Sequence, residues 1–378
     1  GYFTTSPVFG AMGDRSRAAA NRARQGSERR VLMAAGIAVW SAATLATGMA
    51  RSATALVVSR AFVGVGEASY GTLAPTIIDD MAPPAHNARW MAIFSAAMPV
   101  GSALGYIIGG AVLRAHGWRA AFWVAGVPGL ALAILCLMLA EPHRRAAGMV
   151  EPSRAMARDA MALARVPLYR GAVLGYAAYT FAIGGFAYWA PAYLHVRYLL
   201  EPGRASQTFG LVTVAGGIVG TLLGGLLSDR LARARLSRAS SHGEALDECA
   251  EDEIIAQSNV SVTAWATALG APLSALCLAA PTATAFLVLA FPCQVALFAL
   301  NGPINVALLK SAPPSLRAGA MAVAIFAIHA LGDLWSPPLI GRAADLTSMP
   351  VAMAMVPAVF GIAAIVWAAA SRASGWLT

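Results

Sequence analysis

Charge is scarce in this sequence: Asp, Glu, Lys and Arg make up 12% of its 378 residues, about half the share of a soluble domain. Lysine is nearly absent, with Lys310 alone against 26 arginines. With the Ala-rich composition, that bias points to coding in a GC-rich bacterial genome. Cysteine occurs four times, at 136, 249, 277 and 293, three of them in apolar blocks and none in a Cys-x-x-Cys pair. A disulfide framework or a zinc site is therefore not expected. The sequence has no His-Glu-x-x-His and no Gly-x-Ser-x-Gly, so neither a zinc hydrolase nor a serine hydrolase is indicated. The Gly-Val-Gly at 64–66 follows no strand and precedes no Walker lysine, which excludes a nucleotide loop. No enzyme activity, catalytic residue, metal or cofactor is expected.

What the chain has instead is apolar length. It is 58% hydrophobic with a mean hydropathy of +0.64. The excess recurs in blocks of about 20 residues, the length that crosses ~30 Å of hydrocarbon as a helix. A β-barrel would show alternating segments of about ten residues, and these blocks do not alternate. The fold class expected is an all-α polytopic membrane protein. Ten full spans are expected, at roughly 31–50, 55–79, 90–113, 118–140, 168–190, 207–228, 262–280, 283–308, 318–344 and 351–370. Residues 1–13 read as a truncated eleventh, and a first residue of Gly suggests a sequence that starts inside a span.

The arginines test this arrangement. With the segment after residue 13 inside and the sides alternating, 20 Arg/Lys fall inside and six outside, with only Arg60 in a span. That asymmetry follows the positive-inside rule. It also accounts for the net charge of +9 with no nucleic-acid partner. An integral protein of a bacterial inner (plasma) membrane is expected.

Three regions follow: an N-terminal helical half at 1–140, a cytoplasmic linker at 141–167, and a C-terminal half at 168–371 with a cytoplasmic loop at 230–258. That loop runs basic from Arg230 to Arg238, then acidic from Glu244 to Glu253, and reads as a solvated, partly disordered segment. The halves repeat each other. GAMGDR at 10–15 matches GLLSDR at 225–230, and Ala-Pro-Pro at 82–84 matches 312–314. Repeated halves are a mark of secondary transporter folds.

Several polar groups sit inside apolar blocks. Arg60 and Glu67 are seven apart, hence on one face of a helix. Ionisable groups in hydrocarbon cost at least ~2.5–3.5 kcal/mol, so they face a bundle interior or a watery cavity. A structural pair, or an Arg60 that snorkels to the interface, is the alternative. His329 and Asp333, four apart, suit either a proton relay or a packing hydrogen bond. Tyr188 and Trp189 read as interface belt, while Tyr176 and Tyr179 either line an amphipathic cavity or pack. Gly101, Gly105 and Gly109, and Gly216, Gly220 and Gly224, have the spacing of close helix packing.

These residues carry a family resemblance. Gly-x-x-x-Asp-Arg in both halves resembles motif A of the major facilitator superfamily, and Arg60, Gly64 and Gly66 resemble its motif B. RAFVGVGEASYGTLAPTIIDD, MPVGSALGYIIGG, the Asn-Gly-Pro at 301–303 and IFAIHALGDLWSPPLIGRAAD resemble the Spinster-type branch. The sequence departs from that pattern in lacking the first span and in extra residues, Ala18 to Gly26, before Arg29 and Arg30. The resemblance implies two six-helix halves and a monomer that works by alternating access. It implies Glu67 as the proton site, to which the reading of the residues adds Arg60 as its partner and Asp333 with His329 as a second candidate pair. The candidate cavity residues are Arg60, Glu67, Tyr176, Tyr179 and Asn301, and the resemblance implies a cytoplasmic gate of Asp14, Arg15, Asp79, Asp80, Arg89, Asp229 and Arg230. The expected partners are the lipid bilayer, protons, and an amphipathic lipid of lysophospholipid or sphingoid type or another organic anion. A drug or small organic acid exporter, and a non-transporting receptor or scaffold, are the other readings.

Overall fold

The computed structural model describes residues 28–81, 87–138, 161–241, 247–312 and 316–372. The described residues form helices and no strand. They fall into two compact units, Gly1–Pro152 and Ser153–Thr378.

The first unit contains α1 (Glu28–Met49), α2 (Ala53–Met81), α3 (Asn87–His116) and α4 (Trp118–Met138). Its core joins three helices. Met33, Ala34 and Ile37 of α1 meet Leu73, Ala74 and Ile77 of α2 and Ala133 and Cys136 of α4. The three- and four-residue steps place each set on one helix face. The backbones of α1 and α2 nearly touch: a Cβ on Gly66 would stand 2.3 Å from the Gly36 carbonyl oxygen. Arg119 at the start of α4 donates to the Ala50 carbonyl oxygen just past α1, 3.2 Å away. That carbonyl is one of those a helix end leaves without an intrahelical partner.

The second unit contains α5 (Pro167–Tyr198), α6 (Pro202–Ser241), α7 (Glu248–Ala279), α8 (Ala283–Phe298), α9 (Asn301–Lys310), α10 (Arg317–Ile328), α11 (Ser336–Leu346), α12 (Met349–Met353) and α13 (Met355–Ala370). A π-turn, His329–Asp333, joins α10 to α11. Helix α5 is the hub. Its hydroxyls donate to carbonyl oxygens of three neighbours: Tyr169 to Ala320 at 2.6 Å, Tyr179 to Leu297 at 2.9 Å and Tyr193 to Leu278 at 2.6 Å. Tyr198 adds a bond to Ala280 at 2.7 Å, and Trp367 of α13 returns one to Ala172 at 3.1 Å.

Seven helical stretches among the described residues are long and apolar enough to cross a membrane. They are Arg30–Met49, Trp118–Met138, Pro202–Ser241, Cys249–Ala279, Ala283–Lys310, Val323–Leu346 and Met349–Ala370. Three further expected spans, 55–79, 90–113 and 168–190, fall on α2, α3 and α5, which have spanning lengths of 29, 30 and 32 residues but are not among the seven. The truncated span at 1–13 and most of the linker lie outside the described residues.

The segment 230–258 differs from the sequence reading. Helix α6 runs on to Ser241 and α7 begins at Glu248. The charges match the helix dipoles: arginines at the C-terminal end of α6, acids in the first turns of α7. Asp247 caps α7, its Oδ1 accepting from the Ala250 N–H at 2.8 Å. Asp252 is buried, and the Lys310 ammonium at the end of α9 bonds to it at 2.5 Å. Arg235 of α6 donates to Ser261 Oγ of α7 at 3.2 Å. The charged stretch thus ties α6, α7 and α9 together rather than floating in solvent.

The glycine spacing also divides. Gly216, Gly220 and Gly224 face α8, and a Cβ on Gly224 would sit 1.6 Å from the Ala299 carbonyl oxygen. Pro303 has no N–H to offer that carbonyl, so the helix breaks after Phe298 and resumes at Asn301. Gly101, Gly105 and Gly109 have no described neighbour within 4 Å of such a Cβ. Close packing is the role of the second set, and the identical spacing of the first set does not produce it among the described residues.

Gly224→Ala should therefore destabilise by roughly 1–3 kcal/mol, because backbone must shift, and Gly105→Ala should be neutral or slightly stabilising. Thermal unfolding in detergent compares the two directly. A double-mutant cycle over Asp252→Asn and Lys310→Met should give a coupling of about 1–2 kcal/mol. That is below a fully buried pair because the Lys310 side chain is 33% exposed. Coupling that vanishes at moderate salt would identify the contact as a surface pair.

Candidate functional site

Two of the expected ionisable pairs fall within described spanning-length segments. The first is on α2. Arg60 and Glu67 both lie in it and both are exposed. The Arg60 guanidinium carbon lies 6.0 Å from the centroid of the Phe122 ring of α4, at the limit of cation–π attraction. Among the described residues no ion pair joins Arg60 to Glu67, and their separation along the axis is about 10.5 Å. Between the two charges and just beyond them the same helix packs: Gly66 lies against α1, and the Tyr70 ring meets Trp40 edge-on at 5.9 Å. Among the described residues both charges are exposed, and Phe122 is the neighbour on Arg60.

The second is on the π-turn. Pro337 and Pro338 cannot donate to the carbonyls of Asp333 and Leu334, so the regular ladder cannot continue through them. The chain widens instead: the Leu334 N–H reaches back five residues to the His329 carbonyl at 3.3 Å. Such turns recur at functional sites. His329 Nδ1 lies 2.9 and 3.0 Å from the two Asp333 carboxylate oxygens. Both side chains are about a third exposed, at 35% and 38%. The turn is pressed onto α5. Thr180 Oγ1 donates to the Ile328 carbonyl oxygen at 2.8 Å, and a Cβ on Gly332 would stand 2.1 Å from the same hydroxyl. Gly184 faces Asp333, its ideal Cβ 3.0 Å from that of the aspartate.

The remaining expected residues separate. Tyr176 is half-buried, its ring 6.1 Å from that of Tyr179. Tyr179 is 3% exposed and its hydroxyl is committed to Leu297, so its geometry is that of the packing alternative and not of a cavity wall. Asn301 is half-buried at the first position of α9, where its carbonyl accepts from Asn305 Nδ2 at 2.7 Å. Asp79 and Asp80 fall in the last turn of α2 and Arg89 in the first turn of α3. Asp229 and Arg230 are exposed on α6, which continues for more than two further turns, and the Arg233 guanidinium bonds to the Asp229 carbonyl oxygen at 3.1 Å. Asp14 and Arg15 lie outside the described residues.

Sequence reasoning missed the π-turn, Thr180 and the Asp252–Lys310 bond. The Ser-Pro-Pro at 336–338 was the available signal for the first. Nothing local flags the other two, because their partners are 148 and 58 residues away.

An all-helical chain of apolar, spanning-length helices with ionisable groups held inside them has the architecture of a polytopic transporter. The chain belongs to the Major Facilitator Superfamily, whose family model matches residues 1–337. Within that superfamily it is a Spinster-type transporter. It is 30% identical over 349 residues to the probable sphingolipid transporter spinster homolog 2 of Arabidopsis thaliana, covering 86% of this chain and 67% of that one. It is 32% identical over 367 residues to protein spinster homolog 3 of Danio rerio, covering 91% and 67%. The fold is shared with a bacterial homolog of the human lysosomal transporter Spinster, solved in an inward-facing, unoccupied conformation. That match has a TM-score of 0.75 at 20% identity and covers 98% of this chain and 86% of the other. The chain is an integral membrane protein.

Tyr179→Phe should cost about 1 kcal/mol of stability, the net value of one hydrogen bond, without changing the transport rate of the surviving protein. A transport defect at unchanged stability would return Tyr179 to the cavity.

Proposed function

We propose that the protein is a secondary active transporter working by alternating access, coupled to protons, which moves an amphipathic lipid of lysophospholipid or sphingoid type or another organic anion. The observation that carries this reading is Glu67, a carboxylate midway along a spanning-length helix, sharing α2 with Arg60 and exposed among the described residues. A carboxylate is retained in such a helix only against a cost, and a transporter has a use for it. An approaching guanidinium favours the ionised carboxylate, and a poorly solvated surround favours the acid. Movement of Arg60 relative to Glu67 would then load and release a proton. Arg60 is also suited to hold a phosphate or carboxylate head, so substrate and proton would compete for it.

In this reading His329 and Asp333 at the π-turn form a second proton-handling pair, and Tyr176 and Asn301 face the substrate path. Asp14, Arg15, Asp79, Asp80, Arg89, Asp229 and Arg230 form the cytoplasmic gate. The ten expected spans cross a bacterial inner membrane in a monomer, with the basic segments inside. It needs no cofactor and no nucleic acid. The printed descriptions of its plant relatives as probable sphingolipid transporters support the lipid class. The abundance of exposed aromatics at Tyr188 and Trp335 suits an amphipathic cargo or its bilayer.

The test is transport of a labelled lysophospholipid into liposomes with and without a pH gradient, for wild type and Glu67→Gln. Gradient-driven uptake should fall by at least about tenfold in the variant, equivalent to about 1.4 kcal/mol, while exchange without a gradient persists. Uptake indifferent to both the gradient and Glu67 would sink the coupling. No lysolipid movement at all would redirect the search to small organic anions.

A further inference from the structure

An open groove of about 530 Å³ lies between the C-terminal part of α5 and α11, lined by Tyr188, Trp189, Pro337, Pro338, Gly341, Arg342 and Asp345. Its size is that of a small-molecule site. Its walls are built rather than incidental. Trp189 is held in place by its Nε1, which donates to the Pro337 carbonyl oxygen at 3.0 Å. The indole occupies the space a side chain at position 341 would take, since a Cβ there would stand 2.8 Å from its Cζ2. Tyr188 stands against it with ring centroids 5.2 Å apart and planes at 70°, forming an aromatic corner.

The charges complete the picture. Arg342 and Asp345 are three residues apart on α11, close enough to neighbour each other on the helix surface. Both are exposed, and among the described residues neither has an ion-pair partner. The groove therefore offers one free guanidinium, one free carboxylate and two aromatic faces. A simple anion gains from Arg342 and is repelled by Asp345. A simple cation gains from Asp345 and the ring faces and is repelled by Arg342. A head group carrying both a phosphate and an ammonium satisfies all of them: phosphate on the guanidinium, ammonium between the carboxylate and the rings. The prolines and the indole give its glycerol or alkyl part an apolar wall. Aromatic residues at the end of a spanning segment lie at head-group level, so such a ligand would reach the groove directly from the membrane surface.

We propose that this groove is a binding site for a zwitterionic phosphate–ammonium head group, separate from Arg60 and Glu67. It rests on the lipid reading of the cargo only for the source of that head group, which is either a single-chain amphiphile or a two-chain bilayer lipid. The test is photolabelling of the purified protein in alkyl maltoside micelles with a diazirine-bearing single-chain phosphocholine, followed by peptide mapping. Label should appear on peptides containing residues 188–189 and 337–345. Arg342→Gln and Asp345→Asn, both solvent-facing changes, should each reduce it by about tenfold, the scale of one charge-assisted bond, with thermal unfolding unchanged. Unlabelled single-chain phosphocholine should compete, whereas an alkyl phosphate and an alkyl trimethylammonium of equal chain length should not. A short-chain diacyl phosphocholine that competes equally well would assign the site to bilayer lipid, and one that does not would assign it to the single-chain class. Labelling equal to wild type in both variants, or equal competition by the singly charged amphiphiles, would overturn the proposal. No transport step is read in this assay, so loss of proton-driven transport and loss of this site are separate results.

Discussion

A backbone carbonyl freed inside hydrocarbon has no water to turn to. That constraint organises the second unit. Helices there are broken at Pro303 and at the Pro337–Pro338 pair, and α7 ends at Ala279; each of these places leaves acceptors without intrahelical donors. Side chains supply the missing donors across helix interfaces. Tyr193 and Tyr198 reach the last carbonyls around the end of α7, Tyr179 reaches Leu297 in the last turn of α8, and Thr180 reaches Ile328 at the edge of the π-turn. In lipid, where apolar contact between helices brings little advantage over contact with lipid tails, such bonds and tight van der Waals packing hold helices together. Helix α5 carries four of these donors and is therefore the element the unit is assembled around.

Glycine serves the same constraint from the other side. Where no donor is available, the freed carbonyl can be accommodated by letting a neighbouring backbone come close. The Ala299 carbonyl, denied a donor by Pro303, lies against Gly224, and the next turn of the pair repeats the contact with Gly220 against the Val295 carbonyl oxygen. Breaks and glycines thus belong to one design, and a break without its glycine or its hydroxyl would be costly.

Periodicity made part of this legible and hid the rest. Apolar blocks and the arginine asymmetry identified the membrane class, because both follow from the bilayer and not from tertiary contacts. The Gly-x-x-x-Gly sets could not be ranked, since a spacing of four marks a small-residue face but not what covers it. Gly216 to Gly224 found a partner in α8, whereas Gly101 to Gly109 have none among the described residues. Residues 230–258 look like a loop because charge is the usual mark of solvent. Here the basic half ends one helix and the acidic half begins the next, and one carboxylate is buried on the only lysine. For the candidate site the helix-period arguments placed Arg60 with Glu67 and His329 with Asp333. What those spacings could not reveal is that the second pair sits on a π-turn, whose cause lies four and five residues downstream in two prolines.

The π-turn and the head-group groove lie on one seam. Along α5, Thr180 meets Ile328 and Gly332, Gly184 meets Asp333, Gly185 meets Ile340, and Trp189 meets Pro337 and Gly341. Both partners advance together, so α5 and the α10–α11 segment run in the same direction, with a glycine at each of the four contacts. A seam of that kind has little side-chain interdigitation to resist sliding or rotation, and its register is set by Thr180 at one end and Trp189 at the other. Any displacement of α11 that changes the His329–Asp333 geometry must also move Pro337 and Gly341 against the indole, because packed helices shift as rigid pieces. A ligand that braces Trp189 against Pro337 would therefore bias the π-turn without touching it, and by reciprocity a change of geometry at the π-turn would alter affinity at the groove.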